Sequence, residues 1–98
     1  MATIQVPCDD PNGSTYKLAK IKDKVKFVTV GGSCDFVSFD FVPPAPQFTH
    51  RDPPSGGGKS ITYDYDGTAL PVTGAPFTYS TTAKKIKLGN GTGVIKNN

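Results

Sequence analysis

Short stretches in which apolar and polar residues alternate recur along the chain, and glycine or proline separates them. A period of two is the pattern of a β-strand with one buried face. Gly and Pro account for 11 and 9 of the 98 residues, and both favour turns over helix interiors. The chain contains no glutamate, while Val, Thr, Phe and Tyr are common. The sequence therefore predicts an all-β fold.

We expect about seven short strands at spacings of about ten residues, which is typical of a small antiparallel β-sandwich of Greek-key type. The segments with this pattern are 2–8, 24–30, 34–42, 61–65, 76–82, 85–88 and 94–95. Residues 15–21 are ambiguous, because Tyr16 and Leu18 alternate, but Leu18, Ile21 and Val25 would also line a short helix. We favour a strand there. Residues 89–93 are expected to form a glycine turn.

The segment 34–42 (CDFVSFDFV) is the most apolar of the expected strands. Val37, Phe39 and Phe41 share one parity, and Phe36 breaks it. Such a break indicates either a central strand that is covered on both faces or a β-bulge.

The length predicts a single domain, residues 1–98, with one modest core. No apolar run approaches the roughly 20 residues of a membrane-spanning helix. Residues 43–60 (PPAPQFTHRDPPSGGGKS) are expected to form one long loop with five prolines and three consecutive glycines. Loops of this length in compact domains are usually functional or mobile.

Cys8 and Cys34 are the two cysteines. They form either a disulfide or two free thiols, and the redox compartment decides between these states. No signal peptide is visible, because residues 2–6 (ATIQV) already have the pattern of a strand. We expect export only if the two cysteines are joined and Met1 is an added start.

Residues 21–28 (IKDKVKFV) and 34–39 (CDFVSF) resemble the paired strands of cupredoxin-like domains, in which a basic or glycine turn leads into a V-x-F strand. Asp23 stands where that family usually has glycine. The resemblance implies a sandwich of cupredoxin-like or immunoglobulin-like topology. A blue-copper site needs two histidines, a cysteine thiolate and usually a methionine, but His50 is the one histidine of the chain. We therefore expect no cofactor, and a cupredoxin-like domain that has lost copper binding is one alternative interpretation.

Gly58-Lys59-Ser60 has the form of the end of a phosphate-binding loop. That motif requires glycine at position 53, where the chain has Pro53, and a helix after the serine. The segment that follows, 61–65, has the pattern of a strand. The sequence thus argues against nucleotide binding.

Catalytic residue types are scarce, since His50 would have to serve as any histidine base and most aspartates fall in turns or on solvent faces. We therefore predict a non-enzymatic binding or accessory module, and we expect its partner to be a protein. Its contact surface is expected in the loop 43–60, at Phe48, His50 and Arg51. An aromatic ring, a titratable ring and a guanidinium on a proline-stiffened loop are suited to such contact.

Lys20, Lys22, Lys24 and Lys26 share one parity and would form a basic stripe if the segment is extended, with Lys85 and Lys87 as a second patch. The net charge of +3 permits the alternative that the protein binds nucleic acid or another anionic polymer. A solvated strand face, or an edge protected by lysines, explains the same pattern and is favoured.

Overall fold

The computed structural model describes residues 1–8, 10, 12–82 and 90–98. Eight strands form the fold: β1 (Ala2–Pro7), β2 (Ser14–Leu18), β3 (Asp23–Val30), β4 (Phe36–Phe41), β5 (Phe48–Asp52), β6 (Ser60–Tyr65), β7 (Ala75–Thr81) and β8 (Asn90–Asn97). The predicted strand at 85–88, with Lys85 and Lys87, lies outside the described residues. In the part of the chain that is described, no helix has the length and hydropathy needed to cross a membrane.

The strands form two four-stranded sheets, ordered β1-β3-β6-β5 (the first sheet) and β2-β8-β7-β4 (the second sheet). The all-β prediction is confirmed, but the purely antiparallel one is wrong. β1 runs parallel to β3 and β2 runs parallel to β8, while the other neighbours are antiparallel. Parallel neighbours need a crossover connection. β1 is connected to β3 through β2 of the second sheet, and the chain between β2 and β8 passes through strands of both sheets.

Residues 15–18 belong to the strand β2 rather than to a helix, and residues 19–21 lie beyond its end at Leu18. Ile21 follows in the turn and is 61% exposed. The prediction of one unbroken loop over 43–60 was wrong, because β5 lies inside it and pairs with β6 through Phe48 and Tyr65. Prolines flank β5 on both sides and mask its short pattern in the sequence.

The centre of the core is aromatic and draws on both sheets. Phe27 of β3 lies with its ring centroid 4.7 Å from that of Phe39 of β4, and Phe39 stacks on Phe77 of β7 at 4.8 Å. All three are almost fully buried, and burying a side chain of this size contributes about 1.5–3 kcal/mol. Around them lie the remaining members of one buried cluster: Ile4, Val6, Leu18, Val25, Phe36, Phe41, Phe48, Ile61, Tyr63, Tyr65, Leu70, Ala75, Tyr79 and Ile95.

Residues 90–93 belong to β8, so the prediction of a turn there was wrong. Gly91 and Gly93 pair with Tyr79 and Phe77 of β7. A β-carbon on either glycine would overlap the aromatic ring of its partner. The glycines therefore act as packing positions within a strand, a role that local sequence does not distinguish from a turn.

Cys8 directly follows β1, and Cys34 precedes β4. Their Sγ atoms are 2.07 Å apart and their Cα atoms 6.0 Å apart, so the two residues stand at disulfide distance. Both are buried. The pair connects the end of the first strand in the first sheet to the start of an edge strand in the second.

Candidate functional site

β5 is the edge strand of the first sheet, and its pairing with β6 is interrupted between Thr49 and Asp52. His50 lies in this interruption with a φ of 53°, a left-handed conformation that is uncommon for residues other than glycine. Its side chain is 80% exposed. The irregularity thus lifts one imidazole out of the sheet edge into solvent.

Asp64 on β6 links His50 to a lysine on the next strand. One carboxylate oxygen lies 3.1 Å from His50 Nδ1, and the other lies 2.8 Å from Lys24 Nζ on β3. The hydrogen bond from Lys24 holds the pKa of Asp64 below its usual value, and the same bond raises the pKa of Lys24. The three side chains form a polar row across the outer face of the first sheet.

Arg51 turns away from solvent and binds the loop that follows β5. Its Nη2 donates to the carbonyl oxygen of Gly56 at 2.7 Å, and its Nη1 donates to that of Pro53. Burial raises the pKa of the neighbouring Tyr63, while the charge and hydrogen bond of Arg51 oppose that rise. Arg51 thus fixes the loop 53–58 instead of projecting from it.

Phe48 belongs to the core, which corrects its assignment to a contact surface. It is 6% exposed, and its ring stacks on Phe41 at 4.6 Å and on Tyr65 at 5.1 Å. Its pairing with the buried Tyr65 sets it on the inner face of the first sheet. Of the three residues singled out in the sequence, His50 alone presents most of its side chain to solvent.

The four lysines do not form one extended stripe. Lys24 and Lys26 lie on the outer face of β3, because they alternate with Val25 and Phe27, which are buried. Lys20 and Lys22 lie in the turn between β2 and β3. Because the chain bends before β3, Lys20 and Lys22 do not continue the row that Lys24 and Lys26 form on that strand.

Gly58-Lys59-Ser60 leads into β6, and the strand predicted after it is confirmed. The carbonyl oxygens of Gly58 and Lys59 accept hydrogen bonds from the amides of Phe36 and Thr29, at 2.6 and 3.1 Å. Lys59 Nζ lies 3.4 Å from Asp35. This segment therefore joins the two sheets by backbone hydrogen bonds.

A second open region lies between β1 and β2, the edge strands on the opposite side from β5 and β4. Thr3, Ile4, Gln5, Tyr16 and Lys17 line a groove of about 390 Å³ there, called the β1–β2 groove below. Sequence reasoning missed it, because two edges that belong to different sheets meet only after folding.

No group of three or more His, Cys, Asp or Glu side chains is arranged to hold a metal ion among the described residues. No protein-family model matches the chain, and no curated protein matches it in sequence. The β5 edge around His50 and the β1–β2 groove are the two candidate binding regions of the described chain.

Proposed function

We propose that the chain is a non-enzymatic binding module, built as a small β-sandwich of cupredoxin-like or immunoglobulin-like topology, with its contact surface at the β5 edge. Aromatic side chains from both sheets share one buried cluster, which supports the sandwich arrangement. The partner we favour is a protein. The surface is centred on His50.

The observation that carries this proposal is the conformation of His50. A residue other than glycine in the left-handed region costs of order 1–3 kcal/mol, and such residues cluster at binding and active sites. The His50 side chain is 80% exposed, so burial of the imidazole does not offset this conformational cost. Within the chain the imidazole contacts Thr49 and Asp64 at the surface, and we attribute the retention of this conformation to the binding of a partner.

The surroundings of His50 suit a preformed contact surface. Asp64 and Lys24 beside it hold each other in place by an ion pair on the outer face of the first sheet, and Arg51 holds the loop that follows. A surface that is ordered before binding loses less conformational entropy when a partner docks.

The exposure of His50 also favours binding over catalysis. A His–Asp pair gains most of its catalytic strength from a site that excludes water, whereas this pair lies on an open sheet face with Asp64 39% exposed. Nucleic-acid binding through the four lysines is less favoured, because Lys24 is already paired with Asp64.

The test is affinity capture from an extract of the cells that make the protein, with His50→Gly as the decisive variant. Glycine adopts positive φ without strain, so this change removes the imidazole and keeps the backbone. Val72→Ala, at a residue 95% exposed and outside the β5 edge, is the matched control. We expect H50G to reduce recovery of a specific partner at least about tenfold, the effect of losing one central contact.

Recovery of the same partners in the same amounts by H50G and by the unmodified protein would overturn the proposal. Thermal unfolding of each variant checks that the fold is retained.

A further inference from the structure

We infer that the β1–β2 groove takes up an extended acidic peptide segment, which adds as a further strand to the open sheet edge. This surface is separate from the β5 edge, because β1 and β5 are the two opposite edges of the first sheet. The inference does not depend on the role of His50.

The four edge strands are protected unequally. β4 and β5 both show interrupted pairing with their neighbours, and bulges of this kind twist an edge away from incoming strands. β1 and β2 pair in unbroken register over their whole lengths. The two regular edges both border the β1–β2 groove, and no described strand pairs with their outer sides.

The groove has the shape and lining for a polypeptide strand. Thr3 and Gln5 are uncharged polar residues on one wall, and Tyr16 lies at the other wall. The Tyr16 ring is half-buried and stacks on Phe77 at 6.0 Å, which gives the groove an apolar surface. Strand addition derives affinity from backbone hydrogen bonds along an open edge and specificity from such alternate side-chain contacts.

Charge indicates the kind of peptide. Lys17 of β2 and Lys96 of β8 are register partners, and both project outward because the adjacent Leu18 and Ile95 are buried. Like charges directly opposite each other on neighbouring strands are destabilising. Neither lysine forms an ion pair within the described residues. A carboxylate from a bound strand would relieve this repulsion.

A peptide fits better than a nucleic acid. A protein that makes six to ten phosphate contacts binds nucleic acid with strong salt dependence, whereas Lys17 is the one lysine among the residues that line this groove. Single-stranded nucleic acids also stack bases on exposed aromatic rings, and the Tyr16 ring is already stacked on Phe77. The open edges of β1 and β2 instead match the hydrogen-bonding pattern of a strand.

The test is selection from a random dodecapeptide display library on the immobilised full chain. Three proteins are compared: the unmodified chain, the double variant K17Q/K96Q, and K20Q/K22Q, which removes the same charge from the β2–β3 turn. We expect the first and third to enrich peptides with Asp or Glu at alternating positions. The enriched peptides should bind K17Q/K96Q roughly three- to tenfold more weakly, the range for two exposed ion pairs.

Two further measurements examine the mode of binding. N-methylation of alternate backbone amides of the selected peptide should abolish binding, and amide chemical-shift changes should concentrate at Thr3–Gln5 and at Tyr16 and Lys17. His50→Gly should leave peptide binding unchanged, which separates this inference from the proposed function.

The inference is overturned if no acidic sequences are enriched, if K17Q/K96Q binds as tightly as the unmodified chain, or if N-methylated peptides still bind. Tighter binding of an oligothymidine than of the selected peptide, lost in K17Q/K96Q, would assign the lysine pair to nucleic acid instead.

Discussion

Arg51 Nη2 lies 2.7 Å from the carbonyl oxygen of Gly56 and donates a hydrogen bond to it. The second arm of the guanidinium binds the Pro53 carbonyl oxygen. A half-buried cation is thereby enclosed by the loop that leads from β5 to β6. Arg51 thus holds the first part of that loop, while backbone hydrogen bonds hold its end at Gly57 and Gly58.

Replacement of Arg51 with alanine should lower the free energy of unfolding by about 1.5–3 kcal/mol, the usual contribution of hydrogen bonds to charged groups. It should also speed proteolytic cleavage within residues 53–58. Urea denaturation and limited proteolysis measure the two effects. Lys59→Ala, which removes only the surface ion pair with Asp35, is the control and should change stability by less than about 0.5 kcal/mol. Unchanged cleavage in R51A would contradict the role given to Arg51.

The Cys8–Cys34 pair should resist thiol reagents in both the native and the denatured protein. The Cα atoms of the two residues lie 6.0 Å apart, and a bond between them closes a loop with a sequence separation of 26. Reduction of a disulfide that closes a loop of this length should lower the free energy of unfolding by about 3.5 kcal/mol in the chain-entropy model. Titration with a thiol reagent in guanidinium, before and after reductant, tests the first point, and denaturation of both forms tests the second. Two reactive thiols in the unreduced denatured protein would refute the disulfide.

Gly93→Ala should destabilise the fold by about 1–3 kcal/mol through overpacking. The new methyl group would occupy space filled by the Phe77 ring in the core. Thr92 lies between the two packed glycines on the exposed face of β8. The control Thr92→Ser should therefore keep the free energy of unfolding within about 0.5 kcal/mol of that of the unmodified chain. Equal stability of G93A and T92S would show that the β7–β8 register differs from the one described.

Asp64→Asn should reduce stability at neutral pH and lose its effect in acid. Because the pKa of Asp64 is lowered in the folded state from its ordinary 3.8, the stabilisation is present above pH 3.8 and is lost as the pH falls through the lower folded value. The difference between D64N and the unmodified chain should therefore shrink below pH 3.8. Urea midpoints at several pH values measure it, and Asp40→Asn corrects for the loss of one charge on a sheet face. A difference that does not depend on pH would exclude the ion pair as its cause.

The elements that sequence predicted well are those in which burial is decided locally. Ile61, Tyr63 and Tyr65 alternate with polar residues, and all three are buried on β6. The break in alternation at Phe36 is a β-bulge, which was one of the two predicted alternatives, because the pairing of β4 with β7 shifts between Phe36 and Ser38. The predicted inward orientation of Val37 was wrong, since this residue is 54% exposed.

Features that depend on distant residues could not be predicted in this way. The parallel pairing of β2 with β8 joins early and late segments, and nothing in either segment alone encodes it. Gly91 and Gly93 resemble turn residues until the rings of Tyr79 and Phe77 are seen beside them. The register pairing of Lys17 with Lys96 also depends on residues distant in the sequence. Parity within the sequence instead predicted a basic surface at Lys20, Lys22, Lys24 and Lys26.

The strand order also sets a sequence of events during translation. The first sheet uses β1, β3, β5 and β6, all of which precede Asp66, so all four are synthesised before β7 and β8. The second sheet cannot close until β8 emerges, because β8 separates β2 from β7. β2 must therefore remain without a partner on the nascent chain, where unpaired strand edges are prone to aggregation.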